Sequence, residues 1–366
     1  MTTVQLNKLC TTFKSDILVN KIKKDTGEYP LFGAKGIVTG LNSYQQSKPY
    51  ISIIKWGAGV GRAELRPAYS SIVATMLGVL PNDDVNLHWL CYLLQSMHLE
   101  QYATNAVVPN LYFKDYCNTS IPVPDLDEQL RISDLLDKAQ RIIDIRKQQL
   151  SILDDLVKAR FVEMFGDPDT NPMGWTERPL SEMLNVLGGY AFKSEGFSEV
   201  DGIPVLRIGN INAGFFKPVN MVFWAEDESL DRYIMYPGDL VMSLTGTVGK
   251  DDYGNVCILG NDYDKYYLNQ RNAKLELKEG LDKHYLSQML RFEKIKKRLT
   301  GISRGVRQAN ISNKDILNLS VPIPPADLQL QYAAFVAQVD KSKFAVQKGM
   351  EEAQILFDSL MQQYFG

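Results

Sequence analysis

The sequence predicts an α+β fold: two mixed globules in tandem, separated by two long helices that form an antiparallel coiled coil. Three observations predict this fold. Residues 105–166 match 305–366 at a constant offset of 200, without a gap. The repeated tails carry apolar residues at heptad spacing, which is typical of helices that pack on helices. The segments ahead of them carry short β-branched runs between turn residues, which is typical of strands.

The repeat is clearest around its proline-rich centre and at its end. IPVPDLDEQL (121–130) matches VPIPPADLQL (321–330), and LVKARFVEMFG (156–166) matches LFDSLMQQYFG (356–366). A repeat as long as a supersecondary unit determines the architecture of a chain. Each copy is therefore predicted to hold one globule followed by one long helix.

The repeat continues towards the N-terminus with offsets that shrink in steps. The matching segments are HWLCYLL (88–94) with HYLSQML (284–290), GVGR (59–62) with TVGK (247–250), and YPLFGAKGIVTG (29–40) with IPVLRIGNINAG (203–214). Chance matches would scatter, whereas insertions in one copy shift the offset in one direction. We interpret the chain as a tandem duplication with insertions in the second copy.

The two repeated tails are predicted to be long helices that pair with each other. The predicted seam consists of Leu136, Ile143, Leu150 and Val157 in the first tail and Val339, Val346 and Leu360 in the second. No Gly or Pro interrupts 127–165, and about 39 residues at 1.5 Å each span roughly 58 Å. A core helix of a bundle would explain either tail alone. Two copies at matching positions favour a coiled-coil spacer.

The globules are predicted from strand-like runs, with one helical stretch in each, near 86–100 and 282–299. The runs are YISIIKW (50–56), GIPVLRI (202–208) and GDLVMSL (238–244). The predicted division of the chain has four parts: a globule in 1–122, a spacer helix in 123–166, a globule in 167–322 and a spacer helix in 323–366.

Composition and motifs argue against catalysis by this chain. The four cysteines form no CxxC pair and the three histidines are scattered, so we predict no metal site. TGTVGK (245–250) lacks the spacing of a phosphate loop, and neither GxSxG nor HExxH occurs. The absence of a long apolar run and of a secretory signal predicts a cytoplasmic protein that does not contact a membrane.

Charge gives a mixed indication of a nucleic-acid partner. The formal net charge is −3, whereas nucleic-acid-binding proteins usually carry a basic patch. Seven basic residues nevertheless fall between Arg291 and Arg307 against one acidic residue, Glu293. A solvated helix face would explain such a run equally well.

The repeated segments resemble the specificity subunits of type I restriction–modification enzymes, over essentially the whole chain. IPVPDLDEQL with RFVEMFGD, and VPIPPADLQL with LMQQYFG, carry the resemblance, together with WTERPLSEMLNVLGGYAFKSEGF (175–197) and SLTGTVG (243–249). The resemblance implies two target-recognition domains, 1–122 and 167–322, each reading one half of a split DNA site. The first globule departs from the pattern because it is shorter and its opening is reduced to VQLNKLCTTFKSD (4–16).

The same resemblance implies the partners and places the cofactors on them. Double-stranded DNA is the expected ligand, and two methyltransferase subunits are expected to bind S-adenosylmethionine and methylate adenine N6. Restriction subunits that use ATP and Mg²⁺ are a further expected partner. This chain itself is expected to bind no cofactor and no metal, and to act as a non-catalytic recognition subunit.

Candidate DNA contacts follow from loop position and side-chain chemistry. Lys and Arg neutralise phosphates, while Arg, Asn and Gln can read purine edges. In the first domain the candidates are Lys35, Asn42, Tyr44, Lys55 and Arg62. In the second domain they are Lys193, Thr245, Thr247, Lys250, Asn269, Gln270, Arg271, Ser303, Arg304, Arg307 and Gln308. The competing interpretation is that the loop glycines only shape turns and the charges are solvated.

Two other functions remain open from the sequence. The first is the same recognition role in a restriction system whose partner is a fused nuclease–methyltransferase. The second is a coiled-coil adaptor whose globules bind proteins. Binding to DNA phosphates weakens steeply as salt rises, so salt dependence distinguishes the adaptor from the two DNA-binding alternatives.

Overall fold

The computed structural model describes residues 2–22, 27–104, 107–212, 214–247, 250, 252–301 and 308–366. The chain divides into two compact units. Unit 1 is made of 1–148 and 347–366, and unit 2 of 149–346. Each unit contains one globule with a part of both long helices. Among the described residues, none of the helices combines the length and the apolar character that a bilayer crossing requires.

Unit 1 consists mainly of strands, with a few helices packed against them. The strands are β1 (Thr2–Gln5), β2 (Cys10–Lys14), β3 (Tyr29–Gly33), β4 (Gly36–Leu41), β5 (Tyr50–Ile54), β6 (Ala63–Arg66), β7 (Ser71–Ile72), β8 (Met76–Pro81) and β9 (Ser120–Val123). The helices are α1 (Leu87–Ser96), α2 (Phe113–Tyr116) and the first part of α3 (Leu126–Phe165). The sheets have the orders β2-β8-β5-β6, β4-β3-β7 and β1-β9.

Unit 2 has more elements. The strands are β10 (Glu177–Pro179), β11 (Leu184–Gly188), β12 (Ile203–Leu206), β13 (Val222–Trp224), β14 (Ile234–Met235), β15 (Leu240–Ser243), β16 (Thr245–Thr247), β17 (Val256–Ile258), β18 (Tyr266–Leu268), β19 (Asn272–Leu277), β20 (Gln308–Asn310) and β21 (Ser320–Pro322). The helices are α4 (Leu180–Met183), α5 (Ile208–Ile211), α6 (Lys283–Leu290), α7 (Glu293–Thr300), α8 (Asn313–Leu317) and the first part of α9 (Ala326–Phe365).

The two units share one topology. The sheet β11-β19-β15-β17 of unit 2 repeats the order of β2-β8-β5-β6 in unit 1. The parallel pair β12–β18 repeats β3–β7, and β10–β21 repeats β1–β9. Strand β14 and the strand pair β16–β20 of unit 2 are reduced in unit 1 to single bridges, Gln46–Ser70 and Trp56–Asn110. The predicted α+β class with two globules in tandem is therefore confirmed.

Two of the sequence matches are wrong in their register. In unit 1, Ile54 N donates to Arg62 O (3.1 Å) and accepts through its carbonyl from Gly61. In unit 2 the same pattern joins Ser243 to Asn255 and Gly254. The structural counterpart of Arg62 is therefore Asn255 and not Lys250, because the loop of unit 2 is four residues longer.

The second misaligned match concerns the residues after the first parallel strand. Strands β3 and β12 are equivalent, as the sequence predicts, because both pair in parallel with the next strand of their sheet. Beyond them, unit 1 forms the hairpin strand β4, whereas unit 2 forms the helix α5. Gly40 lies opposite Pro30, and the residue opposite Pro204 is Phe223. Gly214 is therefore not the counterpart of Gly40.

The two long helices pack against each other antiparallel inside each unit. In unit 1, Arg131 on α3 donates to the hydroxyl of Tyr364 on α9 (3.1 Å), and Arg146 lies beside Gly349. In unit 2, Tyr332 on α9 donates to the carbonyl of Val157 on α3 (3.3 Å), and Lys343 pairs with Asp154 (2.6 Å). Residue numbers rise along one helix as they fall along the other. The predicted antiparallel helix pair is confirmed.

The predicted seam residues lie on the inward side of these helices. Leu136, Ile143, Val157 and Val339 are buried, and Leu150, Val346 and Leu360 are partly buried. Asp125 accepts from the backbone N–H of Glu128 (2.9 Å) and so caps the first helix. Gly166, at φ 78°, ends it. The four-part division of the chain stays a prediction, because each compact unit contains parts of both long helices together with one globule.

One glutamine in each unit joins the start of the long helix to its globule. Gln129 is buried; its Oε1 accepts from Asn86 N (2.8 Å) and its Nε2 donates to Pro124 O (3.0 Å). Gln329 makes the same two bonds, to Asp282 N (2.8 Å) and Pro324 O (2.8 Å). A buried side-chain amide with both ends satisfied fixes the backbone that it joins. The helices therefore leave both globules through the same junction.

Replacement of Gly349 by alanine is expected to stabilise the protein by up to about 1 kcal/mol, because glycine is the poorer helix former. A Cβ at Gly349 would meet the Arg146 guanidinium no closer than 3.5 Å, an ordinary contact. Chemical denaturation measures the change. The matched control is Gly61→Ala, expected to destabilise, since Gly61 has φ 89° and its Cβ would lie 2.6 Å from Glu100 N. A G349A protein less stable than the natural one would contradict this packing.

Candidate nucleic-acid interface

The loop after β5 in unit 1 places Lys55 and Trp56 at the end of a buried strand. The Lys55 carbonyl accepts from Leu111 N (2.9 Å), and Trp56 forms an antiparallel bridge with Asn110. The Lys55 ammonium lies 5.7 Å from the centroid of the Trp56 ring. Burial, and then the positive charge of Lys14, lowers the pKa of Lys55, which Asp16 partly offsets. This edge of the unit therefore gathers positive charge beside an exposed aromatic ring.

Lys35 and Arg62 lie close to the same backbone turn. The Arg62 guanidinium donates to the carbonyl of Ala34, in the turn between β3 and β4. Its Nε pairs with the Glu64 carboxylate (2.9 Å), and Lys35 is exposed beside the turn. Surface ion pairs of this kind contribute little to stability. The Arg62 side chain is thus held in place at the surface. Lys35 directly follows Ala34, whose carbonyl accepts the hydrogen bond from Arg62.

Tyr44 belongs to a row of three tyrosines. Its ring is 5.0 Å from that of Tyr29 and 5.1 Å from that of Tyr69, both edge-on, and Tyr44 and Tyr69 are exposed. The next residue, Gln45, anchors the segment: its Oε1 accepts from Ile72 N (3.0 Å). Asn42 is exposed on the same segment. Tyr44 is therefore presented on a fixed backbone.

In unit 2, the predicted threonines lie on a short hydrogen-bonded pair of strands. Thr245 is opposite Asn310, and Thr247 is opposite Gln308. Thr247 N donates to the Asp252 carboxylate (2.8 Å), and this bond is the main cause of the lowered pKa of Asp252. Lys250 is exposed, and its backbone N–H donates to Thr247 O (3.0 Å). Thr245, Thr247 and Lys250 are thus brought together, with Asp252 beside them.

The turn between β18 and β19 presents Asn269, Gln270 and Arg271 close to that pair of strands. Leu244 N, just ahead of Thr245, donates to Arg271 O (2.8 Å), and Gln270 N donates to Tyr190 O (2.8 Å). Gln270 and Arg271 are exposed, and Asn269 is partly buried. The backbone of Gly189 approaches so closely that a Cβ there would lie 2.2 Å from Asn269 O. Two of the candidate segments therefore lie beside each other in the fold.

Of the remaining candidates of unit 2, Gln308 joins this group through its backbone, because it lies opposite Thr247 in the strand pair. Lys193 is exposed at the start of a short 3-10 turn, Ser194–Gly196. Ser303, Arg304 and Arg307 lie outside the described residues, and only the backbone of Gln308 is described. Their part in a DNA surface stays a prediction.

The helical part of the basic run is occupied by contacts within unit 2. Lys294 and Arg298 pair with the two carboxylate oxygens of Asp169 (2.9 and 3.0 Å), and these hydrogen bonds lower the pKa of Asp169. Lys296 is buried, and its ammonium donates to the side chain of Asn255 (2.6 Å). Arg291 donates to the carbonyl of Gly214. These residues hold the unit together, so they do not form a free basic face.

Sequence reasoning missed Trp56 and Tyr69. Trp56 is 50% exposed, although the apolar run before it reads as a buried strand. Tyr69 is exposed with φ 57°, a backbone conformation that few side chains other than Gly, Asn and Asp adopt. The glycines just after Trp56 were the available signal. They indicate a loop, and the strand already ends before the tryptophan.

Titratable groups give no catalytic arrangement in the described residues. Within the described ranges, His, Cys, Asp and Glu side chains form no group of three or more that could hold a metal. Burial raises the pKa of the Cys10, Cys91 and Cys257 thiols to about 12, so these are not nucleophiles at neutral pH. Burial also lowers the pKa of His284.

Two globules of one topology, each joined by an equivalent buried glutamine to the start of a long helix, define a tandem-repeat protein. The sequence model of the Type I restriction modification DNA specificity domain matches residues 1–153 and again 172–355. The chain belongs to this family, and the predicted resemblance is confirmed.

Curated relatives carry the same family name. The chain is 26% identical over 276 residues to the MjaVIII specificity subunit of Methanocaldococcus jannaschii, covering 70% of this chain and 64% of that subunit. It is 27% identical over 177 residues to the EcoBI specificity subunit of Escherichia coli, covering 46% of this chain and 34% of that subunit. The chain therefore spans less than two thirds of the length of these relatives.

Solved structures share the fold along the whole chain. The S subunit of a type I restriction–modification system from M. genitalium superposes with a TM-score of 0.61 at 17% identity, over 100% of this chain and 96% of that one. A chain from a structural study of type I complex assembly and conformational transition gives a TM-score of 0.50 at 16% identity, over 100% and 97%. At such identities the likeness concerns the fold.

Proposed function

We propose that this chain is the DNA sequence-specificity subunit of a type I restriction–modification enzyme and reads a target of two half-sites. Unit 1 reads one half through its globule, and unit 2 reads the other. The family supports the role, and the repeated topology supports a division of the target into two halves. One α+β globule covers only a few base pairs, so two globules on a spacer extend the sequence that is recognised.

The observation that carries the proposal is the repeated junction between globule and helix. Gln129 and Gln329 join the long helices to their globules by the same hydrogen bonds. Phe165, at the end of α3, packs edge-on on Tyr285 (4.9 Å) in unit 2, and Phe365, at the end of α9, packs beside Trp89 (6.1 Å) in unit 1. The globule of unit 1 is thereby attached to the start of α3 and the end of α9. The globule of unit 2 is attached to the start of α9 and the end of α3. Attachment of each globule to the long helices inside its own unit is what a spacer role for the helices requires.

The chemistry belongs to partner subunits in this proposal. Two methyltransferase subunits bind S-adenosylmethionine and methylate adenine N6 at the target. Restriction subunits that use ATP and Mg²⁺ complete the full enzyme. This chain is non-catalytic, binds no cofactor, and works in the cytoplasm, where chromosomal DNA is accessible to the complex.

Exchange of one globule is expected to change one half of the target. In the complex with its methyltransferase subunits, 167–322 is replaced by the second recognition domain of another specificity subunit. Single-molecule sequencing then maps the methylated adenines. The half-site read by unit 2 is expected to change while the other half and the spacing stay the same. The matched control replaces 1–122 and is expected to change the opposite half.

Two outcomes would contradict the proposal. If either exchange altered both halves, the globules would not read independently. If the chain bound no DNA, or bound a protein with an affinity insensitive to salt, the adaptor function would be favoured. A partner that combines nuclease and methyltransferase in one chain would leave recognition intact and assign the protein to the other restriction system.

A further inference from the structure

Unit 1 carries an apolar surface where unit 2 carries polar residues. Trp56 bridges to Asn110 in the same way that Thr245 pairs with Asn310, and the carbonyls before them, of Lys55 and Leu244, accept from the equivalent N–H groups. Trp56 therefore occupies the place of Thr245. The hydrogen bonds identify one loop edge in both units, with different side chains on it.

The exposed side chains on this edge of unit 1 are large and apolar. Val107 is fully exposed, Val108 is 62% exposed and Tyr112 is 47% exposed, beside the half-exposed Trp56. Pro109, directly after the valines, accepts from Gly57 N (3.1 Å), which joins their segment to the Trp56 loop. We call Trp56, Val107, Val108 and Tyr112 the apolar edge. Several large apolar side chains exposed on neighbouring segments mark an interaction site.

Positive charge borders the apolar edge on two sides. The Lys55 ammonium is 5.7 Å from the Trp56 ring, and the Lys114 ammonium is 5.4 Å from the Tyr112 ring. Asn110 supports the surface, since its Nδ2 donates to the Tyr112 hydroxyl (2.6 Å). Lysine is depleted at the centre of protein interfaces. Apolar groups flanked by ammonium groups fit the floor and the phosphate walls of a DNA groove better than a protein surface.

We propose that the apolar edge recognises the 5-methyl groups of thymines in the half-site read by unit 1. The inference rests on the proposed function and names the chemistry of one of its two sites. Valine and tryptophan side chains offer almost no hydrogen bonds for base edges, whereas the thymine methyl is the one apolar group in the major groove. Unit 1 thus reads A·T pairs by apolar contact, and unit 2 reads its half-site with polar side chains.

The test replaces thymine by deoxyuridine, which lacks only the methyl group, and needs no altered protein. The full complex with its methyltransferase subunits is titrated with target DNA that carries deoxyuridine on both strands of one half-site at a time. Loss of one buried methyl is expected to weaken binding about fourfold per thymine in the half-site of unit 1. The same replacement in the half-site of unit 2 is the matched control and is expected to change affinity less than twofold.

A variant links the effect to the apolar edge. Trp56→Ala is expected to bind unmodified DNA more weakly and to lose the difference between thymine and deoxyuridine, whereas Trp56→Phe retains it. Equal binding of both DNAs by the natural complex would overturn the inference. So would a W56A chain that no longer assembles with its methyltransferase subunits, since the edge would then be a protein interface. A failure of the proposed function is distinct, because unmodified DNA would not bind at all.

Discussion

Phe161→Ala is expected to destabilise unit 2 by about 3–5 kcal/mol, the usual cost of removing a buried aromatic side chain. Phe161 is fully buried on α3 and stacks on Tyr285 (ring centroids 5.3 Å apart). Tyr332 of α9 meets its ring edge-on at 5.6 Å, and Phe165 lies 5.0 Å away. The cavity would remove contacts between both long helices and the globule. Calorimetry would show the unfolding transition of unit 2 at a lower temperature.

The neighbouring residue supplies the control. Val162 follows Phe161 on the same helix and is 40% exposed. Val162→Ala is expected to change stability by no more than about 0.5 kcal/mol, as is usual for exposed positions. Equal effects of the two substitutions would show that α3 does not pack on unit 2 through this face.

Insertion of one heptad into both long helices is expected to lengthen the half-site spacing without changing either half-site. Arg146 lies beside Gly349 in unit 1, so matched insertions fall after Arg146 and after Gly349. Seven residues add about 10.5 Å to a helix, or about three base pairs of DNA. The seam is kept, because a heptad returns the apolar residues to nearly the same face. Methylated-adenine mapping reads the new spacing directly.

Unmatched insertions are the controls for this experiment. A heptad added to α3 alone shifts its register against α9 and is expected to destabilise the helix pair. Two residues added to both helices rotate the apolar face by about 200°, away from the partner, and are expected to abolish specific methylation. A matched heptad that left the spacing unchanged would contradict the role of the helices as a spacer.

The helices were the most predictable part of the fold. Helix α3 runs over Leu126–Phe165 and α9 over Ala326–Phe365, within a few residues of the predicted spans. The same heptad pattern occurs in both tails, so each copy supports the assignment of a long helix in the other. The strands predicted at 50–56 and 238–244 also form, as β5 and β15.

Loop register was less predictable, because glycines recur in both loops. The sequence paired GVGR with TVGK, whereas the hydrogen bonds pair Gly61 with Gly254. Both of these glycines have positive φ, 89° and 68°, and so occupy the same turn. A longer loop can hold an additional glycine motif, and only the backbone contacts show which motif keeps the turn.

The sequence singles out candidate segments, but it does not show which of their side chains are held by contacts elsewhere in the unit. The loops at Thr245 and Arg271 do come together, because Leu244 and Arg271 share a hydrogen bond. In the basic run, by contrast, the charges of Lys294 and Arg298 are paired with Asp169, which lies more than a hundred residues away in the sequence. Trp56 reads as the end of a buried strand, yet the strand ends at Ile54. A local sequence pattern shows neither ion pairs between residues far apart in the sequence nor the residue at which a strand stops being buried.

The central claim is that two globules read two half-sites. Its most direct test is to map methylated adenines in cells with and without this gene. We expect the gene to add one motif of two short defined sequences separated by a constant stretch of unspecified bases, with a methylated adenine in each defined sequence. A single uninterrupted motif, or a methylation map that is the same with and without the gene, would contradict it.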